Sequence, residues 1–589
     1  MAVDPSSALQ ALDGRRDLDV FGSAGILLFA LQLGLNIEDV ETIADTALTD
    51  GSDDKKCDLV YVDRDLERVV IAQGYFSTRD REAAPAGKAG DLNTAVSWML
   101  DPHASVPDGL AAAAAELRSS VEDDAITQIE VWYCHNLPES SNVQSELDQV
   151  CRTVRAQLSL HYADSRVESI RGLEVGRCRL EEWYRASRVA ILVPDSCKFA
   201  AAGGFEVSGD TWSAYCTSIA AADLRALYER HGTSLFSANV RDYLGSRRSD
   251  RNINNNIKQT AETTPTRFWA YNNGVTALVN DYAIAESGDE VTVQGISIVN
   301  GAQTTGAVGS IDSTRASALD QARVLVRFVK SSDPGTVRDI VRFNNSQNKV
   351  EAPDFRSNDS VQQRLRQEFS DVPDAEYRGA RRGGERDIIE RPAGLLPSDT
   401  VAQALAAFHQ DPNVAYNEKS KIWTVDGTYA RYFNETTTAA HIVFAFSLLR
   451  AVEEAKRALV EIPDDSRTEE QRNRIGFFRL RGSIFLTVTA VSHCMESFLG
   501  RVIADPVDLR FKKNVSVKTG MGHWRPIVGV ALAFSSQLEG ALERNLQNRE
   551  RVTEALRAFK SLVEATRQVN GEVFRSFAST VAEQRSKQT

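Results

Sequence analysis

Histidine and cysteine are scarce, with eight and seven copies in 589 residues. The cysteines stand apart at 57, 134, 151, 178, 197, 216 and 494, with no CxxC pair and no neighbouring histidine cluster. That spacing argues against a structural zinc and fits reduced thiols in a cytosol. No uncharged apolar run reaches the roughly 18 residues of a membrane span. The start of the chain carries Asp4, Asp13, Asp17 and Asp19 in place of a basic lead into an apolar stretch, so secretion is not indicated. GxSxG and P-loop patterns are absent, which speaks against a serine hydrolase or ATPase of those types. Excess positive charge is missing too. A net charge of −13 is unsuited to coating nucleic acid nonspecifically, because that binding rests on cationic neutralisation of phosphates.

The chain has instead three amide-rich runs in its middle: Tyr271-Asn-Asn-Gly-Val-Thr276, Val299-Asn-Gly-Ala-Gln-Thr-Thr305 and Phe343-Asn-Asn-Ser-Gln-Asn348. Core strands avoid Asn and Gly. Their recurrence points to one polar site in which Asn272, Asn273, Asn300, Gln303, Thr304, Asn344 and Asn345 present donors and acceptors to a base edge or another neutral surface. The competing reading has these amides pinning turns, since Asn-Gly at 273 and 300 is itself a turn signal. A local basic segment, Tyr377-Arg-Gly-Ala-Arg-Arg-Gly-Gly-Glu-Arg386, offers Arg381 and Arg382 for phosphate contacts.

Patterning divides the chain into 1–120, 121–232, 233–395 and 396–589. Helical spacing covers residues 20 to 46, interrupted at Gly34, with Asn36 as N-cap of the second piece. Leu59-Val-Tyr-Val62 and Val69-Val-Ile-Ala72 flank a short turn and predict a hairpin. The Ala-rich stretch 78–120 reads as a loop and a surface helix. Strands and helices alternate from 126 to about 195, strands recur near 267–280, 291–299 and 323–329, and the region after 395 is helical. Trp132, Tyr133, Trp183, Tyr184 and His493 read as core residues. The fold class is thus mixed α/β and multidomain.

The amide runs, with Leu235-Phe-Ser-Ala-Asn-Val-Arg-Asp-Tyr-Leu-Gly245 and Asn252-Ile-Asn-Asn-Asn-Ile257, resemble the AIPR family, named for abortive phage infection, over roughly 233–540. Thr49 to Asp58 followed by Gln73-Gly-Tyr75 resembles the metal-binding hairpin of PD-(D/E)XK nucleases. The resemblance implies a restriction-nuclease-like α/β module, a central α+β AIPR-like domain and a helical C-terminal region. It implies a cytoplasmic prokaryotic antiphage protein that binds nucleic acid and cleaves it with Mg²⁺, or else a non-catalytic sensor or scaffold that meets a phage-derived trigger or a partner protein. Self-assembly is compatible with either. If Arg64 to Glu67 is the loop, paired positions sum to 131, and Asp58 faces Gln73 at about 5 Å between Cβ atoms, close enough to share one ion. Glu41 on the preceding helix is the candidate third ligand. Where the family has its lysine this chain has Tyr75, which brings no cation; the same register sets Lys56 opposite Tyr75 as a replacement.

Overall fold

The computed structural model describes residues 7–35, 37–49, 57–186, 191, 193–236, 248–333, 335–337, 339–340, 356, 359–379 and 394–583. Where the sequence divides into four consecutive segments, contacts gather the chain into two interleaved units. One comprises 18–29, 37–174 and 352–589; the other comprises 1–17, 30–36 and 175–351.

The first unit opens on a four-stranded sheet ordered β1 (Leu59–Asp63), β2 (Arg68–Tyr75), β3 (Gln128–His135) and β4 (Ser169–Val175). β2 and β3 run parallel in unbroken register from Arg68↔Gln128 to Tyr75↔His135. The strand placed by sequence in a separate linking segment therefore extends the N-terminal sheet. Their crossover is made by helices Ala86–Leu100 and Asp108–Glu122. These are core helices rather than the expected loop and surface helix: Leu92, Val96, Met99, Leu110 and Leu117 are fully buried. Their alanines obscured the pattern, because a small apolar residue is as compatible with a close-packed face as with an exposed one. Trp132 and Tyr133 are buried in the sheet, as their strand pattern predicts.

Helices Ser398–Phe408, Ala439–Val460, Ser483–His493, Val517–Leu532 and Arg549–Ala565 form the rest of this unit around Phe408, Phe444, Trp524 and Phe577. The short pair β12 (Leu509–Phe511) and β13 (Val581–Glu583) closes it. His493 ends its helix half-buried, 3.1 Å from Gln410 Oε1.

Buried ionic groups join the sheet module to these helices. Arg450 donates to Asp39 Oδ2 at 2.5 Å and to Glu453 Oε2 at 2.6 Å, and Thr42 donates to Glu453 at 2.8 Å. Asp39 also caps helix Val40–Ala47, accepting from the Glu41 and Thr42 amides. The cap is thus Asp39, not Asn36, because this carboxylate meets both the free amides and the buried guanidinium. Glu116 accepts from Tyr416 at 2.6 Å and Arg64 at 3.1 Å, with Arg481 Nε 3.4 Å away. Lys419 lies 3.8 Å from Asp63, and Ser420 donates to Asp65.

The second unit holds β5 (Val193–Ala200), β6 (Gly204–Ser208), β7 (Trp212–Ala220), β8 (Val275–Leu278), β9 (Asp281–Ile284), β10 (Glu290–Asn300) and β11 (Arg323–Ser331). The sheet order is β5-β10-β8-β11-β7-β6, with β9 also on β10. Helix Ala221–His231 joins one buried cluster with Phe199, Tyr215, Val326 and Phe328 through Leu224 and Leu227. The predicted strand at 267–280 is shorter, since Phe268–Tyr271 is helical. Trp183 and Tyr184 are buried here. Among the described residues no single helix is long and apolar enough to cross a membrane.

Two predictions follow from this packing. Arg450→Ala strands buried carboxylates and should cost about 3–5 kcal/mol. Arg525→Ala breaks a pair with Glu454 in which the Arg525 side chain is 54% exposed, and should stay within about 1 kcal/mol. Equal shifts in the denaturation transition would contradict the assignment.

His409 and His441 meet Nε2 to Nε2 at 3.0 Å, and His441 Nδ1 lies 2.9 Å from the Leu509 carbonyl. Burial, then the neighbouring imidazole, lowers His409 to about 3; burial lowers His441 to about 4. Folded values below the unfolded value near 6.5 mean that this contribution is full above that pH and is lost as pH falls toward 4. His409→Gln should therefore flatten the fall in stability between pH 6.5 and 4; an unchanged slope would refute this.

Candidate functional site

The hairpin end is set by register. Pairs run from Leu59↔Ala72 to Asp63↔Arg68, each summing to 131, as the sequence predicts. One step further, the Asp58 amide donates to Ala72 O at 2.9 Å, and Asp58 Oδ2 accepts from the Gly74 amide at 2.7 Å. Gln73 is only 4% exposed, yet its Oε1 has no hydrogen-bond partner among the described residues. Leaving such an oxygen unsatisfied is costly, so this position is a candidate for a ligand atom.

Tyr75 occupies the position of the expected lysine. A cation does approach it: Lys88 Nζ, from helix Ala86–Leu100, sits 5.0 Å from the Tyr75 ring centre. Lys56 lies outside the described residues. Glu41 is placed 3.7 Å from Arg450 Nη1, within the ionic cluster that its own helix N-terminus builds. Burial, with the Asp58 charge behind it, pushes the Cys134 thiol up. Tyr133 is raised by burial and then by Tyr75, Glu174, Asp91 and Asp58.

His135, fully buried beside Tyr75 in the β2–β3 register, places Nε2 3.0 Å from Glu174 Oε1 and Nδ1 3.1 Å from the Leu137 carbonyl. Sequence spacing could not find this pair, because its members lie on different strands and only the fold brings them together. For a Mg²⁺ ion the described residues offer Asp58 and the Gln73 oxygen, and no group of three or more His, Cys, Asp or Glu among them is arranged to hold a metal. A hard cation needs more oxygen ligands than that, so the described residues do not complete the site.

The amide runs converge in the other unit. Asn272 Nδ2 donates to Thr304 Oγ1 at 3.0 Å, and Asn272 Oδ1 accepts from the Gly274 amide at 2.8 Å. Gly274 and Gly301 have φ of +81° and +92°. A Cβ on Gly274 would meet Leu325 O at 2.5 Å, and one on Gly301 would meet Gly274 O at 2.7 Å. Two of the three runs are therefore locked together by backbone approach, with Asn272 and the buried Thr304 as the clasp. Asn273 remains exposed, while Asn300, opposite Thr276 at the end of β10, and Gln303, in helix Ala302–Gly309, are half-buried. Asn344, Asn345, Arg381 and Arg382 lie outside the described residues.

Next to this clasp stand groups that composition did not single out. Trp269 is 45% and Tyr271 64% exposed. Arg327, exposed on β11, donates to Thr276 Oγ1 from Nη2 at 2.7 Å and from Nε at 3.1 Å, which fixes its guanidinium over the sheet. The available signal was the alternation Arg323, Leu325, Arg327, which sets these three on one face of a strand.

No curated protein and no solved structure matches the chain significantly. A family model described as AIPR protein matches residues 236–509, a stretch that contains the amide clasp and strands β8 to β11, and this match supports the AIPR family for the chain.

Proposed function

We propose that this is a cytoplasmic antiphage-defence protein of the abortive-infection type that binds nucleic acid through the segment Trp269 to Gly274 and the neighbouring Arg327. The AIPR match supports the defence role. The binding role rests on one observation: two exposed aromatic rings, Trp269 and Tyr271, lead directly into an amide turn. Unstacked bases can lie on such rings at about 1–3 kcal/mol per base. Asn273 then reads a base edge, and Arg327 stacks or contacts phosphate. Asn300, Gln303, Asn344 and Asn345 would extend the amide surface, with Arg381 and Arg382 supplying further phosphate contacts. A phage-derived trigger or a partner protein of the defence system would act on this same chain.

For the hairpin, the sensor reading is favoured by Tyr75 and by the lack of a third oxygen ligand among the described residues. A Mg²⁺-dependent nuclease reading draws on one observation, the orphaned Gln73 oxygen beside Asp58 with Lys88 close by.

Trp269→Ala and Tyr271→Ala should each weaken binding of a labelled single-stranded oligonucleotide by about 5- to 150-fold, the equivalent of about 1–3 kcal/mol, without moving the thermal midpoint. Asn273→Ala should behave alike. Asn272→Ala should lower the midpoint instead, because it unpairs the Gly274 amide and Thr304. Aromatic variants that bind like wild type would end the nucleic-acid reading.

With Mg²⁺ and a mixed DNA and RNA panel, the sensor reading expects wild type to cleave no more than Asp58→Ala does. Cleavage that disappears in both Asp58→Ala and Lys88→Ala would establish the nuclease in its place.

A further inference from the structure

Strand β6 terminates the seven-stranded sheet, and all five of its residues are exposed. It pairs with β7 without a bulge, from Gly204↔Thr217 to Ser208↔Ser213, so its other edge carries unpaired amides and carbonyls among the described residues. Natural edge strands are usually blunted by lysine, proline or a bulge. The sequence Gly204-Phe-Glu-Val-Ser208 has none of these, and its one charge is the acidic Glu206.

Its side chains divide by strand alternation. Phe205 and Val207, 63% and 46% exposed, stand on one face. Glu206 stands on the other, where the Tyr282 hydroxyl donates to its Oε1 at 2.9 Å. Beside that face lies an open cavity of about 430 Å³, with Phe205, Tyr215 and Ile284 as its apolar lining and Glu206 and Asp289 as its acidic groups. Gly204 and Gly288 also line it. A side chain at Gly204 would meet the Tyr215 hydroxyl at 2.6 Å, so glycine there lets the strand lie against Tyr215.

The charge around this cavity selects its occupant. Glu286 and Asp210 occupy the adjoining turns. The nearby cations are already committed, Lys330 to Asp281 at 2.7 Å and Lys198 to Glu290 at 3.0 Å. A phosphate-bearing ligand would be repelled here. An extended polypeptide with alternating apolar and basic residues matches both faces: its backbone pairs with β6, its apolar side chains cover Phe205 and Val207, and a Lys or Arg enters the acidic cavity.

We propose that β6 receives an extended basic segment of a partner protein as an added strand, at a site separate from the aromatic and amide turn. The test uses the full chain and a fluorescein-labelled ten-residue peptide of alternating Val and Lys, with an alternating Val and Glu peptide as control. Saturable binding of the Val-Lys peptide is expected, at least tenfold tighter than the Val-Glu peptide, with new hydrogen-exchange protection at residues 204–208. Phe205→Lys/Val207→Lys, altered only at exposed positions, should reduce binding at least tenfold, and Glu206→Lys should remove the preference for the basic peptide. Absent binding, equal binding of both peptides, or binding unchanged in Phe205→Lys/Val207→Lys overturns the proposal. So does a concentration-dependent dimer of wild type that the same double variant abolishes, since the occupant would then be a second copy of this chain.

Discussion

The buried guanidinium of Arg450 is the constraint on which the larger unit depends. Its charge is out of water, with a side-chain exposure of 6%, and it is tolerable only while Asp39 and Glu453 are both in place. Asp39 lies 411 residues away in sequence and is also the cap of the helix that leads into β1. One carboxylate therefore satisfies free helix amides and a distant cation together. The Glu116–Arg481–Tyr416 group and the Asp63–Lys419 pair repeat this arrangement at the crossover helix and the hairpin loop. The N-terminal sheet and the C-terminal helices are consequently one folding unit, with most of the smaller unit supplied by the chain between them.

Much of this was legible where the signal is local. The hairpin register follows from alternation and loop length, because a slip of one residue would turn every apolar side chain outward. Core aromatics such as Trp132 and Trp183 announced themselves by pattern. What stayed hidden depends on distant partners. Glu41, in the first turn of its helix, looks like a free ligand until Arg450 arrives from the far end of the chain. His135 and Glu174 sit on different strands and meet only through sheet order. The buried helices at 86–122 read as a loop and a surface helix in the sequence because alanine carries little burial signal.

The amide runs show why composition alone cannot separate recognition from architecture. Asn272 and Asn273 are adjacent and chemically identical, yet one closes a turn against Thr304 and the other faces solvent. The turn-pinning reading thus holds for Asn272, while Asn273 is left facing solvent. The same unit also segregates charge, with Arg323 and Arg327 on one face of β11 and the carboxylates Glu206 and Asp289 around the cavity near β6. The two proposed surfaces share the sheet face that carries Arg327 and Phe205, both in register with Cys216, and only the acidic cavity lies on the other face.

The most direct test of the one-unit account is hydrogen exchange in the full chain and in a chain ending at residue 351, which lacks Arg450, Glu453, Arg481, Tyr416 and Lys419. The account predicts that protection across β1, β2 and β3 collapses in the shortened chain while β8, β10 and β11 keep theirs. Undiminished protection of β1 to β3 would show that the N-terminal sheet folds on its own and would contradict it.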